Sequence, residues 1–224
     1  MARNAYRFFH RLRVRWAEVD MQKIVFNAHY LMYIDTAMMD YWRALALPYE
    51  ASMVALGGDI YVKKATLEYH ASAQLEDLLD IGLRCARVGN SSLLLQAGIF
   101  RGEQLLVSGE LVYVFADPAT QTSRPVPEAL RAIFAAYEAG DAMAHAHCGA
   151  WDALGPDAAR VRHDVFIQEQ GIPADIEVDE LDATAVQVVL RNRLGMPVAT
   201  GRLLQHAPGE GRLGRRAGER GLRA

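Results

Sequence analysis

Residues 6–17 alternate along the chain, with Leu12, Val14 and Trp16 on one side and Arg11, Arg13 and Arg15 on the other. Period-two alternation predicts a half-buried strand with a solvated basic face. From Ala28 to about Leu47 the apolar side chains recur at Leu31, Ile34, Met38, Tyr41, Trp42 and Leu45. That three-to-four spacing predicts an amphipathic helix with one broad buried stripe. Asn27 stands where an N-cap belongs, and Pro48 stops the helix. Four strand-like runs follow, at 60–70, 78–88, 93–101 and 104–116, with turns at Gly89-Asn90 and Arg101-Gly102-Glu103. The last two runs make the clearest hairpin. After Asp117-Pro118, the stretch from Pro125 to Glu128 opens a short helix to about Tyr137, with proline near its first turn. Strand, long helix, four strands and short helix together predict an α+β unit: an antiparallel sheet with one long helix packed on a face.

The pattern then changes. Residues 139–142 read as a linker, 144–151 as a strand, and 156–170 as a helix. Residues 186–191 and 197–204 form a hairpin around Leu194-Gly195. From Pro208 the chain is rich in Gly and Arg (Arg212, Arg215, Arg216, Arg220 and Arg223) without apolar periodicity. Such composition predicts a disordered tail. The expected organisation is therefore a domain over 1–139, a smaller one over 140–207 and a tail over 208–224.

Composition narrows the classes. A chain of 224 residues with 51% hydrophobic and 23% charged residues has material for a sizeable core. Its net charge of −3 gives no general attraction to nucleic acid. Cys85 and Cys148 belong to no CxxC pattern, so neither a zinc site nor a disulfide framework is expected, and the cytoplasm is the expected compartment. The arginine-rich start has no apolar core of a signal peptide, and no run approaches the roughly 20 apolar residues of a membrane span.

The candidate chemistry lies in Glu18-Val19-Asp20-Met21-Gln22-Lys23-Ile24-Val25-Phe26-Asn27-Ala28-His29-Tyr30. It sets one carboxylate, Asp20, between a strand and the start of the long helix. A carboxylate beside free helix N–H groups suits attack on an activated ester, with the carbonyl oxygen held by main-chain donors. Asp is also a common turn residue, so spacing alone leaves both roles open for Asp20. His29 in the first helical turn is open between touching substrate, capping and packing at a subunit contact. Tyr30 reads as structural. Ser91-Ser92 has no GxSxG elbow around it and reads as a turn. Glu68 and His70 share a strand face and read as a surface pair.

Residues 7–137 resemble the hotdog-fold acyl-CoA thioesterases of the 4-hydroxybenzoyl-CoA thioesterase type. The matching positions are Arg13-Val14-Arg15-Trp16, Asp20, Ile24-Val25-Phe26 and Asn27-Ala28-His29-Tyr30-Leu31, then Glu68-Tyr69-His70 and Gly109-Glu110-Leu111-Val112-Tyr113-Val114. The resemblance implies an antiparallel sheet wrapped on one long helix. It implies hydrolysis of an acyl-CoA to free acid and coenzyme A, with Asp20 as the catalytic group. Asn27, Ala28 and His29 then line the oxyanion and substrate site. No metal or other cofactor is implied, because coenzyme A is part of the substrate. Subunits in this family pair their sheets, so a homodimer or homotetramer is expected, with the site at the contact. Where this chain has Lys23 the family often has Gly.

Residues 158–204 resemble the N-terminal part of the GNAT family of N-acetyltransferases. The match runs from Arg162 through Val165-Phe166-Ile167 and Glu169-Gln170-Gly171 to Pro173, then Glu177, Asp179 and Asp182, and Pro197-Val198-Ala199-Thr200-Gly201-Arg202-Leu203-Leu204. That family holds acetyl-CoA pyrophosphate on a Gly-rich loop opening a helix, an element not expected here; acetyl transfer is therefore not expected. A bifunctional acetyltransferase and a non-catalytic acyl-CoA-binding hotdog protein are the alternatives.

Overall fold

The computed structural model describes residues 2–174, 177, 179–207 and 209–222. The chain divides into two compact units. One comprises the residues up to Leu45 together with Met53–Asp141, and the other Ala46–Ser52 together with the residues from Ala142 onward.

In the first unit, β1 (Phe8–Arg13) leads through a 3-10 turn at Trp16–Glu18 to α1 (Asn27–Ala44). The short α2 (Tyr49–Leu56) follows, its first residues belonging to the second unit. Then come β2 (Asp59–Tyr69), β3 (Leu78–Val88), β4 (Ser92–Arg101), β5 (Gln104–Ala116) and α3 (Glu128–Ala139). The five strands form one antiparallel sheet in the order β1-β3-β4-β5-β2. Gly102, at φ +59°, makes the expected tight turn between β4 and β5.

The core lies between this sheet and α1. Ile34, Ala37, Met38, Tyr41 and Trp42 of α1 are buried, facing Leu79, Ile81, Leu83, Leu95 and Ile99 of the sheet. The buried stripe is rotated from the one expected. Tyr30 and Tyr33 lie inside it, while Leu31 is 38% exposed. Both tyrosines carry a polar tip, and each finds a buried hydrogen-bond partner: Tyr30 the N–H of Ala73, Tyr33 the carboxylate of Glu18.

Three further local expectations are corrected. The N-cap is Phe26, not Asn27, because the Phe26 N–H donates to Glu18 O at 2.9 Å and holds that residue extended. Asn27 is the first helical residue. The helix ends at Ala44 rather than reaching Pro48, with Ala46 at φ +55°; proline disfavours helical backbone in the residue before it. Trp16 is 80% exposed although it alternates with buried Val14, because the 3-10 turn ends the strand's period.

The second unit contains β6 (Ala144–Gly149), α4 (Trp151–Arg162), a π-helical stretch at His163–Glu169, β7 (Val186–Asn192), β8 (Pro197–Ala207) and β9 (Glu210–Gly218). Its four strands run antiparallel in the order β6-β7-β8-β9. The helix begins at Trp151, five residues before the expected start at Pro156. Trp151 packs on Leu154, Ala158 and Val189, and its ring fills the space where a Cβ on Gly155 would stand. Packing thus overrides the local proline signal.

The expected disordered tail is also corrected: residues 210–218 form β9, with Leu213 opposite Leu203 and Arg212 opposite Leu204. Its apolar hold is one residue, Ala217 against Val161 and Val165, and Arg215 adds ion pairs to Glu177 and Asp179, so hydrophobic periodicity carries little trace of it. Pro208 and Arg223, placed in that tail, lie outside the described residues. Cys85, buried, and Cys148, exposed, are both free thiols. Among the described residues no helix is long and apolar enough to cross a membrane.

Candidate active site

Between β1 and α1 the chain makes a narrow loop. Asp20 N–H donates to Ile24 O and Lys23 N–H to Asp20 O, each at 2.9 Å, and Val19 bridges Val25. Lys23 sits at φ +63°, the left-handed conformation that glycine adopts most readily. The loop is anchored on its far side by Val25 N–H to Ala73 O at 2.9 Å. Asp20 is half-buried at the loop's start. Its Oδ1 accepts the Gln22 N–H at 2.8 Å, and Oδ2 has no hydrogen-bond partner among the described residues.

Asp20 opens on a cleft of about 1070 Å³ whose wall also includes Trp16, Val19, Met21, Lys23 and Leu75. This wall is largely apolar, with Met21 100% exposed and Lys23 its one cation. Asn27, Ala28 and His29 do not line it. They are tied to Asp20 through the main chain instead, by the bond from Phe26 N–H to Glu18 O that closes the loop.

Asn27 and Ala28 are exposed at the first turn of α1, and among the described residues their N–H groups have no acceptor. Tyr69 donates its hydroxyl proton to Asn27 O at 3.3 Å, linking the helix start to β2. The His29 ring is edge-on to Phe26 and stacked on Tyr33, with centroids 6.0 and 6.5 Å away. Its Nδ1 is buried with no hydrogen-bond partner among the described residues. These contacts are packing within the chain, which is none of the three roles left open for His29.

Two residues not singled out by sequence pattern complete the arrangement. Glu18 is 3% exposed and accepts from the Arg15 N–H at 2.7 Å, from the Arg15 guanidinium, and from Tyr33 O–H at 2.8 Å. Burial pushes its carboxyl pKa up, but these hydrogen bonds outweigh burial and leave it below the usual value. Burial and the neighbouring carboxylate push the Tyr33 phenol well above its ordinary value. Elsewhere, Ser91 and Ser92 sit at the β3–β4 turn, as expected, with Gly89 N–H bonded to Ser92 O. His70 pairs with Ser108 at 2.8 Å rather than with Glu68.

A family model described as "Thioesterase-like superfamily" matches residues 14–134, more than half of the chain. The chain belongs to the thioesterase-like superfamily. Curated relatives agree with that membership. "Acyl-CoA thioester hydrolase YbgC" of Escherichia coli O157:H7 is 27% identical over 124 residues, spanning 55% of this chain and 92% of that protein. "Acyl-CoA thioesterase YbgC" of Haemophilus influenzae is 22% identical over 123 residues, 55% of this chain and 90% of that protein. Among solved structures, the PA5185 protein of Pseudomonas aeruginosa aligns with a TM-score of 0.53 at 26% identity, covering 63% of this chain and 98% of that one. A thioesterase from Thermus thermophilus, complexed with coenzyme A and Zn, aligns at 0.53 with 22% identity, covering 62% and 98%; that likeness is one of fold.

The first unit of this thioesterase-like chain is thus a hotdog fold, its long helix α1 held against an antiparallel sheet. The superfamily match takes in the whole loop that carries Asp20 and the start of α1.

Proposed function

We propose that the chain is an acyl-CoA thioesterase in which Asp20 acts on the thioester carbonyl carbon. Water and an acyl-CoA give the free acid and coenzyme A. The Asp20 carboxylate either attacks the carbon, forming a mixed anhydride that water then cleaves, or takes a proton from the attacking water. The N–H groups of Asn27 and Ala28 hold the carbonyl oxygen as charge develops on it, each such donor contributing about 3 kcal/mol to the transition state. Coenzyme A leaves as thiolate and is protonated.

One observation carries this reading: a carboxylate with one unbonded oxygen stands in the wall of a largely apolar cleft, in a loop closed onto a helix N-terminus. An apolar wall suits the acyl group of such a substrate. The reaction needs no resident metal or cofactor on this reading. The two free thiols suit a reducing cytoplasm.

The working form is an assembly of two or four copies. β2 is an edge of the sheet and exposed along most of its length, with Val62 and Tyr69 about half exposed beside Lys63, Lys64 and Glu68, an edge that a second copy would cover. Light scattering on the eluting peak of the purified chain tests this; a monomer at micromolar concentration would count against it.

The second unit is read as a GNAT-like framework. The sequence signature over 158–204 and the succession of helix and antiparallel strands support the kinship. After β9 the described chain makes a 3-10 turn at Arg220–Leu222, not a helix that could present N–H groups to a pyrophosphate.

The purified chain is expected to release free coenzyme A thiol from at least one member of a panel of short, long and aromatic acyl-CoAs. Saturable binding across the panel with no thiol release would instead support the non-catalytic acyl-CoA-binding alternative.

A further inference from the structure

We infer that Glu18 is the positioning residue that sets the distance between Asp20 and the first N–H groups of α1; the inference rests on the reading of Asp20 as the acting carboxylate. Glu18 lies two residues before Asp20 and is buried. Its side chain and main chain reach three separate pieces of structure. Oε2 accepts the Arg15 N–H at 2.7 Å, fixing the exit of β1. The same oxygen accepts Tyr33 O–H at 2.8 Å, fixing the second turn of α1. Its main-chain oxygen accepts the Phe26 N–H at 2.9 Å, fixing where the helix begins.

Asp20 has no comparable anchor. Its own bonds, from Gln22 and Lys23 and to Ile24, all stay inside the loop. They hold the loop's shape but not its placement against the helix. Placement passes through Glu18 at the loop's start and, on its far side, through Val25, whose N–H bonds Ala73 O. The Arg15 guanidinium also meets Oε1, but it ties Glu18 only to its own turn, three residues back. The buried hydroxyl and main-chain donors carry the effect, because hydrogen bonds to a buried ionised acceptor are the strong kind.

A merely fold-holding role and a positioning role separate in kinetics. Displacement of a reacting group by about 1 Å costs on the order of 100-fold in rate without weakening substrate binding. Glu18→Leu, close to glutamate in size, removes both acceptor oxygens, so the Arg15 N–H and Tyr33 O–H contacts are lost together. It is expected to lower kcat about 100-fold with KM within about twofold of wild type. Tyr33→Phe, which leaves the carboxylate in place, is expected to lower kcat about tenfold with KM again unchanged. The double variant should fall no further than Glu18→Leu alone, since both changes break one linkage.

Both variants keeping wild-type kcat, or losing activity only in proportion to a reduced folded fraction, would overturn the inference. Should the wild type itself turn over no acyl-CoA, the thioesterase reading fails separately. Amide hydrogen exchange then decides on Glu18. Faster exchange confined to residues 19–28 in Glu18→Leu supports positioning, and an exchange pattern identical to wild type overturns it.

Discussion

Arg162→Leu should destabilise the second unit by about 3 kcal/mol or more, the cost of breaking a buried ion pair from one side. Arg162 is 1% exposed. Its guanidinium meets Glu177, and it makes a two-pronged contact with Asp182 at 2.8 and 3.0 Å. Arg202 joins Asp182 at 2.8 Å and Asp179 at 2.6 Å, and Arg215 reaches Asp179 and Glu177 at 3.1 and 3.2 Å. Three arginines and three carboxylates thereby tie α4, β8 and β9 together.

Removing Arg162 leaves buried Glu177 with Arg215 alone and buried Asp182 with Arg202 as its arginine partner, and a leucine offers neither of them a proton. Loss of exchange protection across β7, β8 and β9 would report the damage. Combining Arg162→Leu with Glu177→Gln and Asp182→Asn should recover part of the loss, because the uncompensated charge is gone.

The same cluster gives the unit an acid limit. Hydrogen bonds from Arg202 lead the effects that hold the Asp179 carboxyl at about 2. Burial raises Asp182, but its bonds to Arg162 and Arg202 prevail and leave it lowered. A carboxylate depressed in the native state contributes stability above its unfolded value of about 3.9 and loses it as pH falls towards the native value. Unfolding of this unit should therefore set in between about pH 4 and pH 2.

Asp20→Asn should lower kcat by about a thousandfold or more while leaving the fold intact. An amide neither attacks a thioester carbon nor accepts a proton from water, and removing such a group costs on the order of 10² to 10⁴ in rate. The turn itself has little reason to change. Asn Oδ1 can still accept the Gln22 N–H, and the loop's main-chain bonds do not involve the side chain. Binding of intact acyl-CoA should persist within a few-fold, so the defect falls on kcat rather than KM. A residual rate above that in buffer is expected from the Asn27 and Ala28 donors. Stopped thiol release from a saturating acyl-CoA, wild type beside variant, checks this. Equal rates would remove Asp20 from the chemistry.

How well the sequence foretold the structure varied with how local the cause was. β3, β4 and β5 are two-faced strands whose alternation and Gly102 turn are local, and they fall where the pattern puts them. The long helix α1 is equally plain in period, yet its buried face includes Tyr30 and Tyr33, whose hydroxyls are satisfied by Ala73 and Glu18 far along the chain. α2 follows Pro48 with only eight residues and no clear stripe, so nothing local announces it. β9 is glycine and arginine to the eye; its strand character comes from pairing with β8 and from carboxylates more than thirty residues earlier.

The candidate site divides in the same way. Asp20 is visible from its place between a strand and a helix start, reinforced by family resemblance. Glu18 is not. Beside Arg15, three residues back, it looks like a solvated pair, and only the folded chain brings Tyr33 onto it and buries it.

A crystal structure of the protein with an acyl-CoA ketone analogue, in which methylene replaces the thioester sulfur, puts the carbonyl group itself on view. Its oxygen should lie about 2.7–3.1 Å from the N–H groups of Asn27 or Ala28. Its carbon should lie about 3–3.5 Å from an Asp20 oxygen, or one bound water away. A carbonyl seated elsewhere, with Asp20 facing bulk solvent in every copy of the assembly, would contradict the assignment of thioester chemistry to this carboxylate.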